Sequence, residues 1–307
     1  MKTTKLISRA IMAACLCLGM AACGDDDGTN PGGGSNGEGG SVGSELKFTE
    51  LNRQTYFDGV SIYNNSRKIG YNADGTLQYM GGVENDYYRR YDFEYADNAQ
   101  NGSTITVKYS DNASHTIDYD CCTCEVNPEG HITLLTIYNP IAKDRTFEYT
   151  YDKDGRMTKA VKTSYDISGN IEGETTEHNI SWKNGNITQI ETKVDGEMTN
   201  VYNYKYTSYP ASRGLVYYAR YLLHIPFVDY GGVDEAMEIF ANTGEFFGKS
   251  PKNLISSGEN SSSFGTTSWD IEYTFYEAPH PAEGFVHQIK KEREVLTITW
   301  QEPEEQI

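Results

Sequence analysis

Apolar and polar residues alternate in short runs between positions 48 and 206. Residues 91–95 have an aromatic side chain at every second position with carboxylates between them, and residues 104–109 show the same pattern with aliphatic side chains. A period of two over about five residues indicates a strand that has one face in a core and the other in solvent. Pro occurs in this stretch only at 128 and 140, as expected where backbone N–H groups are paired. The pattern predicts antiparallel strands.

One short phrase recurs between the predicted strands: an aromatic residue, a few polar residues, Asp-Gly or Asn-Gly, and then an apolar residue. It occurs at 71–77, 151–157 and 182–187, with a weaker copy at 128–132. Asp-Gly and Asn-Gly favour hairpin turns because these turns require positive φ angles. The turn glycines, together with Gly102, lie 25 to 30 residues apart, an interval that fits two strands and two turns. The repeat predicts one continuous antiparallel meander of hairpins.

The N-terminal segment has the pattern of a secretory signal peptide. Three basic residues precede an uncharged, mostly apolar run at 11–22, which is shorter than the roughly 20 residues that a membrane-spanning helix needs. Residues 18–23, Leu-Gly-Met-Ala-Ala-Cys, resemble a bacterial lipobox. This resemblance implies cleavage before Cys23 and attachment of acyl chains to it, which would hold the chain to a membrane. The alternative is an ordinary signal peptide with a chance Cys23.

The residues that follow Cys23 predict a cellular location and a flexible linker. The acidic run at 25–27 resembles the signal that sends lipoproteins of one Gram-negative lineage to the outer face of the outer membrane; the alternative is a merely soluble acidic tether. Gly, Ser and Asn dominate 28–44, which is typical of a flexible linker. We therefore expect a lipid-anchored protein of the outer membrane at the cell surface, with the periplasmic face as the alternative. The predicted domains are a signal peptide at 1–22, a lipidated tether at 23–45 and a single β-meander domain at 46–307.

Two family resemblances rest on these motifs. The phrase at 151–157, Tyr-Asp-Lys-Asp-Gly-Arg-Met, resembles the YD repeat, the hairpin unit of large bacterial shell-forming proteins. From lipobox to Tyr-rich meander, the whole chain resembles the bacterial lipoprotein family described as a domain of unknown function with a porin-like fold. That resemblance implies a large curved or closed antiparallel sheet, and it implies neither an activity nor a functional residue. The predicted fold class is all-β: a large antiparallel meander curled into a soluble barrel-like sheet.

The strand pattern is interrupted between residues 212 and 243, where we predict two short helices. The first has apolar residues at helical spacing, namely Leu215, Val216, Ala219, Leu222 and Leu223, and the second has Val233, Ala236, Met237 and Phe240. Pro226 stops the first helix, and Gly244 suits the end of the second. We expect the helices to cover an open end or edge of the sheet. The alternative is a lid over a cavity.

Composition restricts the possible partners. The chain has 26 basic and 44 acidic residues, a net charge of −18, so it lacks the basic excess that nucleic acid or an anionic surface requires. It has 24 Tyr but is only 37% hydrophobic, which indicates a fold of amphipathic aromatic strands. Tyr at strand centres and the anchor on Cys23 argue against a transmembrane barrel. We expect the aromatic face to point inward.

No metal site and no cofactor are predicted. Cys121, Cys122 and Cys124 are too few and too close for a structural zinc site, which usually has two separated ligand pairs. Two alternatives remain for them: buried thiols in a strand, or one local disulfide with a spare thiol. In a regular strand Cys122 and Cys124 share a face and Cys121 takes the other. Asp152 and Asp154 match the start of a calcium loop, but the later ligand positions fail, so a hairpin turn is predicted.

No catalytic residue is predicted either. Acidic pairs such as Asp92 and Glu94 belong to a solvated strand face, and no Ser or Cys has an identifiable His partner. We therefore expect a non-catalytic module that binds a ligand or has a structural role, with a glycan as the expected ligand. Candidates for stacking on sugar rings are Trp182, Trp269 and Trp300, and the equal alternative for each is a place in the core. The alternatives are a glycan-directed hydrolase and an accessory subunit that binds another outer-membrane protein.

Overall fold

Most of the described chain is strand. The structure, a computed structural model, describes residues 46–84, 87–98, 102–111, 119–139, 142–215, 232–244 and 246–301. The strands are β1 (Lys47–Phe57), β2 (Val60–Tyr71), β3 (Leu77–Glu84), β4 (Tyr87–Asn98), β5 (Gly102–Ser110), β6 (Tyr119–Val126), β7 (Ile132–Asn139), β8 (Ala142–Tyr151), β9 (Met157–Ser164), β10 (Thr176–Lys183), β11 (Asn186–Val194), β12 (Glu197–Pro210), β13 (Asn253–Ser262), β14 (Gly265–Asp270), β15 (Glu272–Phe275), β16 (Val286–Lys291) and β17 (Glu294–Gln301). The helical elements in this part of the chain are α1 (Gly232–Ala241) and a 3-10 turn, Ala211–Arg213.

The strands form one antiparallel meander that returns to its beginning. Strands pair with their neighbours in chain order from β1 to β14 and again from β15 to β17. Only Ile271 separates β14, which pairs with β13, from β15, which pairs with β16. The last strand, β17, pairs with β1, so the sheet of 17 strands is barrel-shaped and nearly closed. The predicted all-β class and barrel-like meander are confirmed.

Because the strands alternate in direction, the turns lie at two ends of the barrel. The N-terminal end contains the start of β1, the turns at 72–76, 127–131, 152–156 and 184–185, and the described residues 211–215 and 246–252 of the connection between β12 and β13. The distal end contains the turns at 58–59, 165–175, 195–196, 263–264 and 292–293. The hairpin prediction is confirmed at the repeated phrase, where Gly75, Gly155 and Gly185 have φ angles of 86°, 77° and 77°.

The core lies on the inner face of the sheet and is most apolar near the N-terminal end. Side chains with almost no solvent exposure include Leu77, Met80, Ile105, Ile132, Leu135, Ile187 and Ile298. The outer face is polar, as the alternation predicts. For example, Lys108 binds Glu94 at 2.6 Å and Lys159 binds Glu177 at 2.6 Å on that face. Such exposed pairs add little stability, so burial of the inner face provides most of it.

Helix α1 packs its apolar side against the inner face of the sheet. The ring of Phe240 stacks on Phe93 with 5.3 Å between centroids, and on Phe246 with 4.5 Å. The Sδ atom of Met237 lies 3.9 Å from the Sγ atom of Cys122 on β6. The second predicted helix is thus confirmed. Of the first, Leu215 is buried after the 3-10 turn, and Val216, Ala219, Leu222 and Leu223 lie outside the described residues.

The chain that follows α1 crosses the turns of the N-terminal end. The N–H group of Ile132 donates to the carbonyl oxygen of Phe246 at 2.7 Å. Further along, Lys249 donates to the carbonyl oxygen of Gly155 and Lys252 to that of Gly185, each at 2.8 Å. These bonds tie the connection to three successive hairpins, so it covers this end of the sheet, in agreement with the expected role of the helical insertion.

Candidate functional site

A repeated hydrogen bond explains the phrase in the sequence. An aromatic side chain near the end of one strand donates a hydrogen bond to a backbone carbonyl oxygen. The acceptor is an apolar residue near the start of an earlier, neighbouring strand. The pairs are Tyr71 with Phe48, Tyr95 with Leu77, Tyr151 with Ile132, Trp182 with Met157, Tyr206 with Ile187, Tyr273 with Ile255 and Trp300 with Val286, at 2.6 to 3.0 Å. Burial raises the pKa of Tyr71, Tyr95 and Tyr273 above the usual range. The repeat is therefore a structural device that ties each hairpin to the one before it.

The tryptophans proposed for sugar stacking belong to the wall of the barrel. Trp300 and Trp182 donate their ring N–H groups to backbone carbonyls within it, and Trp182 is half-buried. The ring of Trp269 packs where Gly258 leaves room for it, and the Nζ atom of Lys291 lies 4.4 Å from its centroid. Trp269 and Trp300 are each 7% exposed. The stacking prediction is wrong for these two, because an open sugar site needs a free ring face.

The cysteines are buried free thiols, which decides between the two alternatives left by the sequence. Cys121 was expected on the opposite face from Cys122 and Cys124, and this expectation is wrong. A β-bulge opposite Val107 makes Cys121 the extra residue and breaks the alternation, so all three thiols are buried. The neighbouring thiols of Cys121 and Cys124, together with burial, raise the pKa of Cys122. Protonated buried thiols are poor nucleophiles and poor metal ligands.

The acidic turn residues hold their own hairpins. The carboxylate of Asp152 accepts hydrogen bonds from the N–H groups of Asp154 at 2.9 Å and Arg156 at 3.0 Å, and pairs with the Arg156 guanidinium at 2.8 Å. The structure confirms the predicted hairpin turn at these residues, as opposed to a calcium loop. In the described part of the chain, no group of three or more His, Cys, Asp and Glu side chains has the arrangement of a metal site.

Basic side chains occupy inner positions toward the distal end. Each lies opposite a core residue or two positions from one along its strand. For example, Arg67 lies opposite the buried Leu51, and Lys162 lies opposite the buried Phe147. The residues placed in this way are Arg53, Arg67, Arg89, Arg145, Lys162 and Lys291, and we call them the inner basic set. A chain with a net charge of −18 thus concentrates positive charge on one part of its inner face.

Acidic side chains lie beside members of the inner basic set; the carboxylate of Asp144 lies 3.6 Å from the Arg145 guanidinium. The carboxylate of Glu294 binds the Arg53 guanidinium at 2.9 Å. Burial lowers the pKa of Lys291, against the opposing effect of Glu292 and Glu294. The imidazole Nδ1 of His178, also at an inner position, lies 2.9 Å from the hydroxyl of Thr192. The distal half of the inner face therefore holds a cluster of basic side chains, of which Arg53 and Arg145 are in ion pairs.

Solvent reaches this part of the barrel. Lys162 and His178 are half-buried, and Thr267, which lies opposite Asn260 on the inner side, is exposed. Aromatic rings line the same region: Tyr109 lies 5.2 Å from Tyr91 and 5.5 Å from Tyr119 between centroids. The distal half of the inner face therefore combines accessible polar groups, cations and aromatic rings, and it is the candidate binding site.

Sequence reasoning assigned the aromatic residues inward but missed the inner basic set. The signal lies in the phase of the alternation: Arg89 precedes Tyr91, and Arg145 precedes Phe147, by two positions each. A basic residue in phase with buried rings must share their face. By contrast, Asp92 and Glu94 pair with Arg90 and Lys108 outside the core, as expected for a solvated face. Cys23 and His115 lie outside the described residues.

Comparison with known proteins identifies a family and a fold. The family model described as a domain of unknown function (DUF4595) with porin-like fold matches residues 69–277. The crystal structure of a porin-like protein from Bacteroides uniformis ATCC 8492 is similar, with a TM-score of 0.54 and 14% identity over 83% of this chain and 98% of that chain. A porin-like protein from Bacteroides vulgatus ATCC 8482 gives a TM-score of 0.43 at 10% identity with the same coverage. No curated protein matches. Within the described residues, no helix has the length and apolar character needed to cross a membrane.

Proposed function

We propose that this chain, which belongs to the DUF4595 family of domains with a porin-like fold, is a non-catalytic binding protein whose distal half accepts an anionic ligand. The observation that carries the proposal is the inner basic set, whose members are half-buried on the inner face apart from the buried Arg67. Partial burial strengthens the attraction between a cation and an anion, because the surrounding dielectric is lower than that of water. The acidic outer surface repels anions at long range, so selectivity for such a ligand must come from these inner contacts.

An acidic glycan is the ligand class that fits best. Guanidinium groups such as those of Arg89 and Arg145 bind carboxylates through two parallel hydrogen bonds. The half-buried rings of Tyr109 and Tyr119, which lie 5.5 Å apart between centroids, offer flat apolar faces of the kind on which sugar rings stack. A uronic acid has both a carboxylate and such a face. The proposed ligand is a glycan, as the sequence predicts, but the proposed contacts are with basic side chains and tyrosines and not with tryptophans.

The absence of catalysis is part of the proposal. Glycoside hydrolysis needs two opposed carboxyl groups, one on each side of the scissile bond. Toward the distal end, acidic residues occupy two inner register positions, Glu84 opposite Asn65 and Glu294 opposite Thr55. They lie on β3 and β17, three strand spacings or roughly 14 Å apart along the sheet, whereas the two carboxyl groups of a glycosidase are about 5 to 10 Å apart. Arg53 also binds the Glu294 carboxylate, at 2.9 Å. We therefore favour binding over a glycan-directed hydrolase.

We place the protein at the outer membrane, anchored through lipid on Cys23 and facing the cell surface. The lipobox and the acidic run at 25–27 support this location, and the periplasmic face remains the alternative. Labelling of cells with radioactive palmitate tests the anchor: Cys23→Ala is expected to lose the label. Protease added to intact cells tests the side of the membrane, since degradation of the chain is expected only for a surface location.

Calorimetry of the full chain with defined oligosaccharides tests the ligand class. We expect an oligogalacturonate to bind and a neutral malto-oligosaccharide of the same length not to bind. Strand β9 offers a matched pair of variants, because Lys162 faces inward and Lys159 pairs with Glu177 on the outer face. Lys162→Gln is expected to weaken binding by about tenfold and Lys159→Gln to leave it unchanged. Equal binding of the two oligosaccharides, or equal effects of the two substitutions, would contradict the proposal.

A further inference from the structure

Large apolar side chains are exposed on the turns of the distal end. Phe264, in the turn at 263–264, is 100% exposed, and Ile167, in the turn at 165–175, is 77% exposed. The exposed residues of this kind at the distal end are Phe57, Val60, Ile62, Ile167, Ile171, Met198 and Phe264, and we call them the distal apolar tips. Hairpin tips ordinarily consist of Gly, Asn, Asp and Ser, so apolar residues at these positions need an explanation.

The distal apolar tips belong to neighbouring turns. Around the sheet the distal turns follow in the order 165–175, 195–196, 263–264, 292–293 and 58–59. Neighbouring turns are separated by two strand spacings, or roughly 10 Å. The apolar tips therefore form an arc along part of the rim. Single exposed apolar residues are common on proteins, but a series of them along one rim is typical of an interaction surface.

Acidic side chains accompany the apolar tips. Asp58 lies between Phe57 and Val60 in the chain, and Glu197 immediately precedes Met198. Exposed acidic residues in or beside the same turns are Asp58, Glu172, Glu174, Asp195, Glu197 and Glu292. Two basic residues also lie beside the tips: Arg293 lies over the ring of Phe57 at 4.9 Å, and Lys193 lies opposite Met198. The arc is therefore apolar and acidic.

We infer that this arc docks a protein partner whose surface has an apolar groove flanked by basic side chains. Charge complementarity selects this occupant. An anionic lipid surface is disfavoured because it would repel the acidic residues, and a second copy of the arc would bring like charges together. The arc consists of exposed residues in and beside the turns, whereas the inner basic set lies at inner positions of the strands. Docking and ligand binding can therefore fail independently.

A synthetic amphipathic helical peptide of Leu and Lys, labelled with fluorescein, is a direct probe of this chemistry. Fluorescence anisotropy with the full chain is expected to detect saturable binding that high salt weakens. The combined variant Ile167→Ser, Met198→Ser and Phe264→Ser is expected to bind at least about tenfold more weakly. The matched control is Tyr209→Ser, because Tyr209 is 49% exposed at the N-terminal end. Circular dichroism of each variant verifies that it is folded; the turn positions involved are exposed, so we expect no loss of structure.

Several results would overturn the inference. One is equal binding of a Leu and Glu peptide, because the acidic flanks would then play no part. Another is unchanged binding by the combined variant, or no binding of the Leu and Lys peptide at all. Binding to phosphatidylglycerol vesicles in place of the peptide would assign the arc to a membrane. Sedimentation that shows dimers of the native chain, and monomers of the combined variant, would assign it to self-association.

Discussion

The phenol of Tyr151 donates a hydrogen bond to the backbone carbonyl oxygen of Ile132 across 2.7 Å, and so joins the end of β8 to the start of β7, beside the turns at 152–156 and 127–131. Removing the hydroxyl in Tyr151→Phe leaves the ring packing in place and the carbonyl without this donor. We expect a loss of about 1–2 kcal/mol in the free energy of unfolding, measured by urea titration.

Tyr209→Phe is the control for that experiment, because Tyr209 is a half-exposed tyrosine outside the repeated pattern. It is expected to unfold like the native chain. Equal stability of Tyr151→Phe and the native chain would mean that solvent satisfies the Ile132 carbonyl equally well in the folded state.

The buried phenols predict a loss of stability at high pH. Burial raises the pKa of Tyr273 above its usual value of 10.0 in the folded chain. Above about pH 10 the unfolded chain therefore releases a proton that the folded chain keeps, so stability is complete below that pH and falls as the pH rises. Each such phenol contributes a slope of up to about 1.4 kcal/mol per pH unit.

Urea titrations between about pH 9 and pH 11 measure this slope. Tyr273→Phe is expected to make it shallower than that of the native chain, because one of the titrating groups is gone. An identical slope in the variant would show that the Tyr273 phenol titrates alike in the folded and unfolded chains.

The thiols of Cys121, Cys122 and Cys124 are expected to resist alkylation until the chain unfolds. All three are free and fully buried, and the pKa of Cys122 is raised, so little thiolate is available to react. Intact mass after iodoacetamide treatment is expected to be unchanged at these residues under native conditions, with modification of all three after denaturation in urea. Rapid native labelling of any of the three would contradict their burial.

The stack between Phe240 and Phe93 anchors α1 to the inner face of the sheet. Phe240 is fully buried, and its ring also stacks on Phe246. Phe240→Ala removes these contacts and opens a cavity, so we expect a loss of about 3–5 kcal/mol in the free energy of unfolding. Phe240→Leu keeps most of the volume and is expected to lose less. Equal losses in the two variants would indicate that the helix repacks around the missing ring.

Local sequence signals predict the parts of this fold that depend on neighbours in the chain. The Asp-Gly turn at 154–155 and the stripe containing Met237 and Phe240 each arise from residues close in sequence, and both are observed. The contact between Arg53 and Glu294 joins residues 241 positions apart, and no local pattern encodes it. The bulge at Cys121 depends on its partner strand and was missed for the same reason.

The candidate site was harder to predict than the fold because its residues look ordinary in sequence. Arg67 and Lys162 occur in strands that also have basic residues on the outer face, so only the register separates the two groups. The prediction of a binding module came from composition and address, whereas the basic inner surface required the pairing of the strands. The three tryptophans are candidates in the sequence because they are rare, but in the structure their rings belong to the wall of the barrel.

The pairing of β1 with β17 has a consequence for how the protein is made. Strand β1 leaves the ribosome before the other strands of the sheet and finds one of its two neighbours only when β17 arrives. Until then both margins of the growing sheet expose unpaired backbone groups, which are the usual starting points of aggregation. A product cut short before β17 keeps those margins permanently, so chaperones and proteases can recognise such a fragment by a single missing strand.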